Sequence, residues 1–156
     1  TNATIPMGAT VVQDYIYESM LENADAPIEL FHGYTYSGHP VACAAALATL
    51  DIYKEEGLFE HAGEQAPKIE KVAHSLKGTK HIVDIRNLGV IAALELEPRG
   101  NAVGARGFEV MKKSWDMGLM VRANGDTLAF SPPLIVSDDQ IDQMFTTVKS
   151  ALEQVD

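Results

Sequence analysis

The segment His81–Pro98, HIVDIRNLGVIAALELEP, decides the fold that this sequence predicts. In its second half the even-numbered positions from Val90 to Leu96 are all apolar, whereas the odd-numbered positions from Ile91 to Glu97 include two glutamates. An alternation with a period of two is typical of a strand that has one buried face. The simplest account is two strands joined near Arg86–Gly89, with the apolar side facing a core.

The residues that follow continue the same domain. Phe108, Met111 and Trp115 lie three and four residues apart, so they predict one face of a helix that ends at Gly118. Residues 118–133, GLMVRANGDTLAFSPP, predict a strand, a turn at Asn124–Gly125 and a second strand. The turn is predicted because Asn-Gly readily adopts the positive φ angles of a tight hairpin.

A capping signal marks the start of the last helix. Ser137 and Gln140 have the spacing of a capping box. The order from about Gly78 to Asp156 is then β-β-α-β-β-α, which predicts an α+β domain within the α/β class, an antiparallel sheet covered by helices on one face. The apolar stripe of the last helix consists of Ile141, Met144, Phe145, Val148, Leu152 and Val155.

The front of the chain predicts one strand and three helices. Met7–Val12 is apolar and β-branched, as in a short buried strand, and Asp14 is a suitable N-cap for the helix after it. Pro40 suits the first position of a helix that runs to about Glu56 and stops at Gly57. In the next helix Pro67 marks either a kink or the true start, and Gly78 ends it. One strand cannot form a sheet, so we expect the chain to be the back part of a longer protein.

Composition limits the classes of function. The formal net charge is −10, which disfavours nucleic-acid binding because such a field repels phosphate backbones. The single cysteine, Cys43, allows no internal disulfide and favours a reducing, cytoplasmic compartment. The sequence contains no apolar run of roughly 18 residues, so no membrane span is predicted. A small metabolite or another protein is the expected partner.

The loop His32–Pro40, HGYTYSGHP, is the first candidate site. It is either a turn-rich connection or an anion site, in which the Thr35 hydroxyl and loop N–H groups beside a helix start bind a phosphate or carboxylate. No Lys or Arg lies nearby to neutralise a phosphate. The two histidines, His32 and His39, have no further ligand at metal-binding spacing, so no metal site is predicted.

Arg122 is the second candidate. It lies in an apolar strand just before a hairpin, on the side of that strand opposite to Val121. An arginine there is either a surface or edge residue, or a bidentate clamp for a substrate carboxylate.

Four segments together resemble the C-terminal part of class III pyridoxal-phosphate aminotransferases: HGYTYSGHPVACAAAL, KGTKHIVDIRNLG, LELEPRG and GLMVRANGDTLAFSPP. The similarity is greatest to the ω-amino acid (β-alanine):pyruvate aminotransferase branch. The resemblance implies a fold-type I transferase. Residues 1–56 would then be a strand-and-helix remnant of the large cofactor-binding domain, residues 57–77 a connecting helix, and residues 78–156 the C-terminal small domain.

The resemblance also implies roles for individual residues. Thr35 matches the threonine that binds the cofactor phosphate in the other subunit of a dimer, and Tyr34 matches a tyrosine beside that site. Arg122 matches the arginine that clamps the carboxylate of the keto-acid or amino-acid substrate. The lysine that forms the Schiff base with pyridoxal phosphate lies in the family a few residues before the segment that TNATIPMGA resembles, so this chain contains no catalytic residue.

The function expected from the resemblance is transfer of an amino group from an ω-amino acid or amine to pyruvate, in a homodimer or a tetramer of dimers. The 156-residue chain alone is expected to bind the cofactor weakly or not at all and to be inactive. Two alternatives remain open. The parent enzyme is another class III member, such as an aminomutase or an ornithine-type aminotransferase, or the chain is a non-catalytic α+β module that binds carboxylates or a partner protein.

Overall fold

The computed structural model describes residues 1–24 and 33–156. The described residues form two compact units, Thr1–Glu56 and Gly57–Asp156. His32, the first residue of the candidate loop, lies outside the described residues. The assignment of residues 1–56, 57–77 and 78–156 to parts of a transferase stays a prediction.

The first unit contains two helices, α1 (Asp14–Glu22) and α2 (Pro40–Glu55). The predicted strand Met7–Val12 is wrong, since these residues are irregular and exposed. A lone apolar segment has no partner for its backbone hydrogen bonds among the described residues, and a strand needs one. Asp14 is the first residue of α1 and not its cap, because the N-cap position falls on Gln13, whose side chain makes no capping bond.

The second unit is the predicted α+β domain. Its elements are α3 (Leu58–His74), β1 (Ile82–Leu88), β2 (Ile91–Leu96), α4 (Ala105–Asp116), β3 (Arg122–Asn124), β4 (Thr127–Phe130) and α5 (Asp138–Leu152). The four strands form one sheet in the order β1-β2-β4-β3, and every neighbouring pair is antiparallel. The predicted order β-β-α-β-β-α is therefore confirmed, as is the start of α2 at Pro40. Pro67 does not mark a start, because α3 runs through it.

The core lies between one face of the sheet and the helices α3, α4 and α5. The alternation in β2 holds, with Ala92, Leu94 and Leu96 buried and Ile91 exposed. In α5 the Ser137–Gln140 capping box is present, and the predicted stripe packs in the core. The rings of Phe130 and Phe145 stack with their centroids 4.7 Å apart. The other face of the sheet carries the exposed residues of the alternating pattern.

Only part of the apolar stripe predicted for α4 faces the core, since Met111 packs against the core cluster but Phe108 and Trp115 do not. Phe108 is 56 % exposed and Trp115 64 % exposed, whereas Arg106, Val110 and Ser114 are buried. Arg106 can be buried because its guanidinium donates to the backbone carbonyl oxygens of Glu97 and Asp156. Helical spacing alone could not distinguish these two stripes, because the burial of Arg106 depends on hydrogen bonds to residues outside the helix.

The hairpin between β3 and β4 turns one residue later than predicted. Asn124 pairs with Thr127, so the two turn residues are Gly125 and Asp126, and Gly125 takes the positive φ of 60°. Glycine at the first turn position is one of the two favoured hairpin arrangements. No helix within residues 1–24 and 33–156 combines the length and the apolar composition that crossing a membrane requires.

Candidate functional site

The loop before α2 borders a cleft within the first unit. Residues Tyr34–Ser37 form a turn, closed by a hydrogen bond of 2.9 Å from the Ser37 N–H to the Tyr34 carbonyl oxygen. At the start of α2 the His39 Nδ1 accepts a hydrogen bond of 3.4 Å from the Ala42 N–H. The cleft has a volume of about 600 Å³ and is lined by Ile5, Pro6, Met7, Gly8, Gly33, Thr35, Tyr36, Ser37, Gly38, His39, Ala42 and Cys43.

The cleft combines two features that favour an anion, and its described lining includes no Lys or Arg. The Thr35 hydroxyl and the N-terminal end of α2 lie on it, and a helix N-terminus carries partial positive charge. Its described lining includes no Lys or Arg, so a fully charged phosphate needs further positive groups from elsewhere. Tyr36 lines the cleft, whereas Tyr34 lies beside it in the turn and is 54 % exposed.

Arg122 is the first residue of β3, the edge strand of the sheet. Its neighbour Val121 is buried, and Arg122 is exposed on the sheet face that the helices leave uncovered. No hydrogen bond or ion pair joins its guanidinium to any residue that the structure describes. A guanidinium without a partner among these residues retains all its donors for a planar carboxylate. Arg122 and Thr35 belong to different units, and each is described within its own.

The hairpin that carries Arg122 is fastened to α4 by Asp126. This buried carboxylate accepts hydrogen bonds from the N–H groups of Gly104, at 2.6 Å, and Gly107, at 3.0 Å. Asp126 therefore caps a helix that is distant in sequence, and it places a negative charge at the positive end of α4. The backbones approach so closely that a Cβ on Gly107 would lie 2.2 Å from the Gly125 carbonyl oxygen.

A network of charges crosses the open face of the sheet. Arg86 on β1 donates to Asp84, at 2.7 Å, and to Glu95 on β2, at 2.8 Å. The Thr127 hydroxyl on β4 donates to the same Glu95 oxygen, at 2.9 Å. The bond from Arg86 is the main cause that lowers the pKa of Glu95, and the bond from Thr127 lowers it further. Arg86 also lowers the pKa of Asp84.

Sequence reasoning missed two of these features. Asp126 directly follows the predicted Asn124–Gly125 turn and received no role, because its capping bonds are long-range contacts that no local pattern shows. Arg86 could have been found, because the alternation of β1 and β2 places Arg86 and Glu95 on the same side of neighbouring strands. Among the described residues no group of three or more His, Cys, Asp or Glu side chains is arranged to bind a metal ion.

Comparison with protein families matches residues 1–152 to the family described as "Aminotransferase class-III". The omega-aminotransferase of Caulobacter vibrioides is 51 % identical over 156 residues, which is 100 % of this chain and 36 % of that protein. The beta-alanine–pyruvate aminotransferase of Pseudomonas aeruginosa is 41 % identical over 157 residues, which is 99 % of this chain and 35 % of that protein. The chain thus spans about a third of the length of these relatives.

Solved structures show the same fold. A transaminase with L-alanine superposes with a TM-score of 0.75 at 35 % identity, covering 80 % of this chain and 31 % of that one. A thermostable omega transaminase mutant from Pseudomonas jessenii gives a TM-score of 0.73 at 34 % identity, covering 80 % and 29 % of the two chains. The small antiparallel sheet with its helices is thus a part of the transaminase architecture.

Proposed function

Because the chain belongs to the class III aminotransferases, we propose that it is the C-terminal part of an enzyme that transfers an amino group from an ω-amino acid or amine to pyruvate. Support for this branch comes from the relatives named for ω-amino acids, β-alanine and pyruvate. Pyridoxal phosphate is the proposed cofactor and a homodimer or tetramer of dimers the proposed assembly, in the cytoplasm. The chain alone is proposed to be an inactive fragment.

The residues present suit a part of the cofactor site. The Thr35 hydroxyl and the N-terminus of α2 would bind phosphate oxygens, with Tyr34 beside them. Since the described lining of the cleft contains no cation, the loop fits a role in which it completes a phosphate site built mainly by another subunit. When bound, the cofactor supplies the electron sink for amino transfer. The protein's contribution from this loop is to hold and orient the cofactor.

Arg122 carries the proposal for substrate binding. Its exposed guanidinium has no partner among the described residues and lies on the open face of the sheet, so it can donate two parallel hydrogen bonds to a carboxylate. The same arginine would orient pyruvate in one half-reaction and the carboxylate of an ω-amino acid in the other. An amine that has no carboxylate would not use it.

The Arg122→Gln variant of the complete enzyme tests this proposal. A hydrogen-bonded charge pair contributes about 1.5–3 kcal/mol, so KM for pyruvate should rise about 10- to 100-fold. The half-reaction with an amine that lacks a carboxylate should keep its rate within about two-fold. Lys68→Gln, which removes a surface ion pair with Asp142 on the helices, is the matched control and should change neither value. Equal losses with both substrates would show that Arg122 supports the fold and does not bind carboxylates.

A further inference from the structure

The open face of the sheet places two arginines in one row across all four strands. Strand pairing aligns Arg86 with Ala93, Ala93 with Ala129, and Ala129 with Arg122. The two arginines thus lie at opposite edges of the sheet with only alanines between them. The next row along the strands aligns Asp84, Glu95, Thr127 and Asn124.

The two arginines differ in their partners. Arg86 contacts both Asp84 and Glu95, and Glu95 is held a second time by the Thr127 hydroxyl. Arg122 has no such contact among the residues that the structure describes. Asp84 and Glu95, the acidic residues of these two rows, therefore both bind Arg86. The Arg122 guanidinium on β3 has no carboxylate partner among the described residues.

Glu95 is nevertheless close enough to compete for Arg122. The two residues lie two strands apart and two residues apart along the strands, so spacings of about 4.8 Å and about 3.4 Å place their Cα atoms about 12 Å apart. An extended arginine and an extended glutamate span this separation together. The alanines between them present no steric barrier on the open face.

We propose that Arg86 and Thr127 are positioning residues that hold Glu95 away from Arg122, which keeps the Arg122 guanidinium available for the substrate carboxylate. This inference rests on the proposed function of Arg122. Without Arg86, Glu95 would become an intramolecular competitor for the same guanidinium. An exposed ion pair of this kind is worth about 0.2–1 kcal/mol, so competition would raise KM for pyruvate about two- to six-fold.

Steady-state kinetics of the complete enzyme test the competition. Arg86→Gln should raise KM for pyruvate about two- to six-fold with kcat unchanged, and it should leave the half-reaction with a carboxylate-free amine unchanged. Adding Glu95→Gln to this variant should restore KM, because the competitor has lost its charge. Arg86→Lys, which keeps a cation beside Glu95, should lie between the wild type and Arg86→Gln. Lys68→Gln is again the matched deletion of an ion pair and should have no effect.

Chemical labelling tests the same inference without any enzymatic activity. Phenylglyoxal modification of Arg122, followed by mass spectrometry, should be slower in Arg86→Gln than in the wild type and should return to the wild-type rate in the double variant. Should the protein show no transaminase activity, the proposed function fails while the labelling still reports on Glu95. An unchanged labelling rate in Arg86→Gln, or a raised KM that Glu95→Gln does not restore, would overturn the inference.

Discussion

Arg86 shows how a single exposed side chain shapes the properties of its neighbours. It lowers the pKa of Asp84 and of Glu95, chiefly through its hydrogen bonds to their carboxylates. The ion pairs with Arg86 stabilise the folded protein only while the two carboxylates are ionised. Both carboxylates lie at the surface, where water and salt weaken an ion pair. The pairs therefore orient the side chains of Asp84 and Glu95 more than they contribute to the free energy of folding.

Acid unfolding measures the Arg86 network at the residue scale. The ordinary pKa values are 3.8 for Asp84 and 4.5 for Glu95, and both are lowered in the folded protein. Their contribution is therefore fully present above about pH 4.5 and is lost as the pH falls through the lower, folded values. We expect the urea midpoint of the wild type to fall more steeply below pH 4.5 than that of Arg86→Gln.

The comparison variant for this measurement is Lys68→Gln. The pKa of Lys68 is raised from 10.5, chiefly by its hydrogen bond to Asp142. The stability that follows from this raised pKa is present below pH 10.5 and is lost as the pH rises through the folded value. Removing Lys68 should therefore change how steeply the urea midpoint falls with rising pH in the alkaline range, and not how steeply it falls in acid. If the urea midpoints of the wild type and of Arg86→Gln fell equally steeply below pH 4.5, the result would contradict the assigned network.

At the scale of elements, the hairpin β3–β4 depends on the N-terminus of α4. Asp126 in the turn accepts from two N–H groups of that terminus, and Gly107 lets the turn approach closely. The position of Arg122 is thus fixed by a helix that begins 17 residues earlier, at Ala105.

The Gly107→Ala variant tests this contact. An added Cβ would lie 2.2 Å from the Gly125 oxygen and 3.0 Å from the Asp126 Cα, so the turn must move. Overpacking of this kind costs about 1–3 kcal/mol, which exceeds the gain of about 1 kcal/mol from alanine in a helix. The control is Gly63→Ala in α3, where nothing lies within 4 Å of the added Cβ and stability should rise. Equal urea midpoints for the two variants would refute the close contact.

The second unit was predictable from sequence because its patterns are local. Alternation in β2 and the capping box before α5 each have a physical cause within a few residues, and both appear in the structure. The strand predicted for Met7–Val12 is wrong because a strand requires a hydrogen-bonded partner. The helix α4 was predicted correctly, but its buried face was not, because Arg106 is buried through hydrogen bonds to carbonyl groups outside the helix. Arg122 was predicted in a strand just before a hairpin, and it is the first residue of β3. Asp126 could not be found without the tertiary contact.

At the scale of the whole molecule, the two units differ in how much apolar surface they bury. The core cluster lies entirely in residues 57–156, whereas Ala42 is the one buried hydrophobic residue among the described residues of the first unit. Large apolar side chains on α2, such as Leu47 at 64 % and Leu50 at 59 % exposure, remain accessible. Burial of apolar surface is the main source of stability, so the units should not be equally stable.

Separate expression of the two units tests this difference. Residues 57–156 should unfold cooperatively in urea, because the sheet and the helices α3, α4 and α5 bring their own core. Residues 1–56 should show no cooperative transition. The midpoint of 57–156 should also match the major transition of the whole chain. A cooperative transition in isolated 1–56 would contradict the expected difference, because that unit would then be stable by itself. The absence of a transition in isolated 57–156 would show that its core cluster does not suffice for folding.

The final prediction concerns cofactor binding by the 156-residue chain itself. None of its lysines is among the described lining residues of the Thr35 cleft. They lie on helices or in the segments after them: Lys54, Lys68, Lys71, Lys77, Lys80, Lys112, Lys113 and Lys149. Covalent attachment of pyridoxal phosphate requires a primary amine held at the aldehyde, and the cleft offers none among its described residues.

We therefore expect the purified chain, mixed with pyridoxal phosphate, to retain no cofactor absorbance after dialysis and to form no alanine from pyruvate and β-alanine.

The complete enzyme should retain the cofactor. Its Thr35→Val variant should bind the cofactor about ten-fold or more weakly, since a hydrogen bond to a charged group is worth about 1.5–3 kcal/mol. Thr49→Val, which removes a hydroxyl bonded within α2 to the Ala45 carbonyl oxygen, is the control and should bind as the wild type does. One stoichiometric, dialysis-stable cofactor on the isolated chain would show that its own lysines suffice, because the Thr35 loop contributes hydroxyl and N–H donors but no amine.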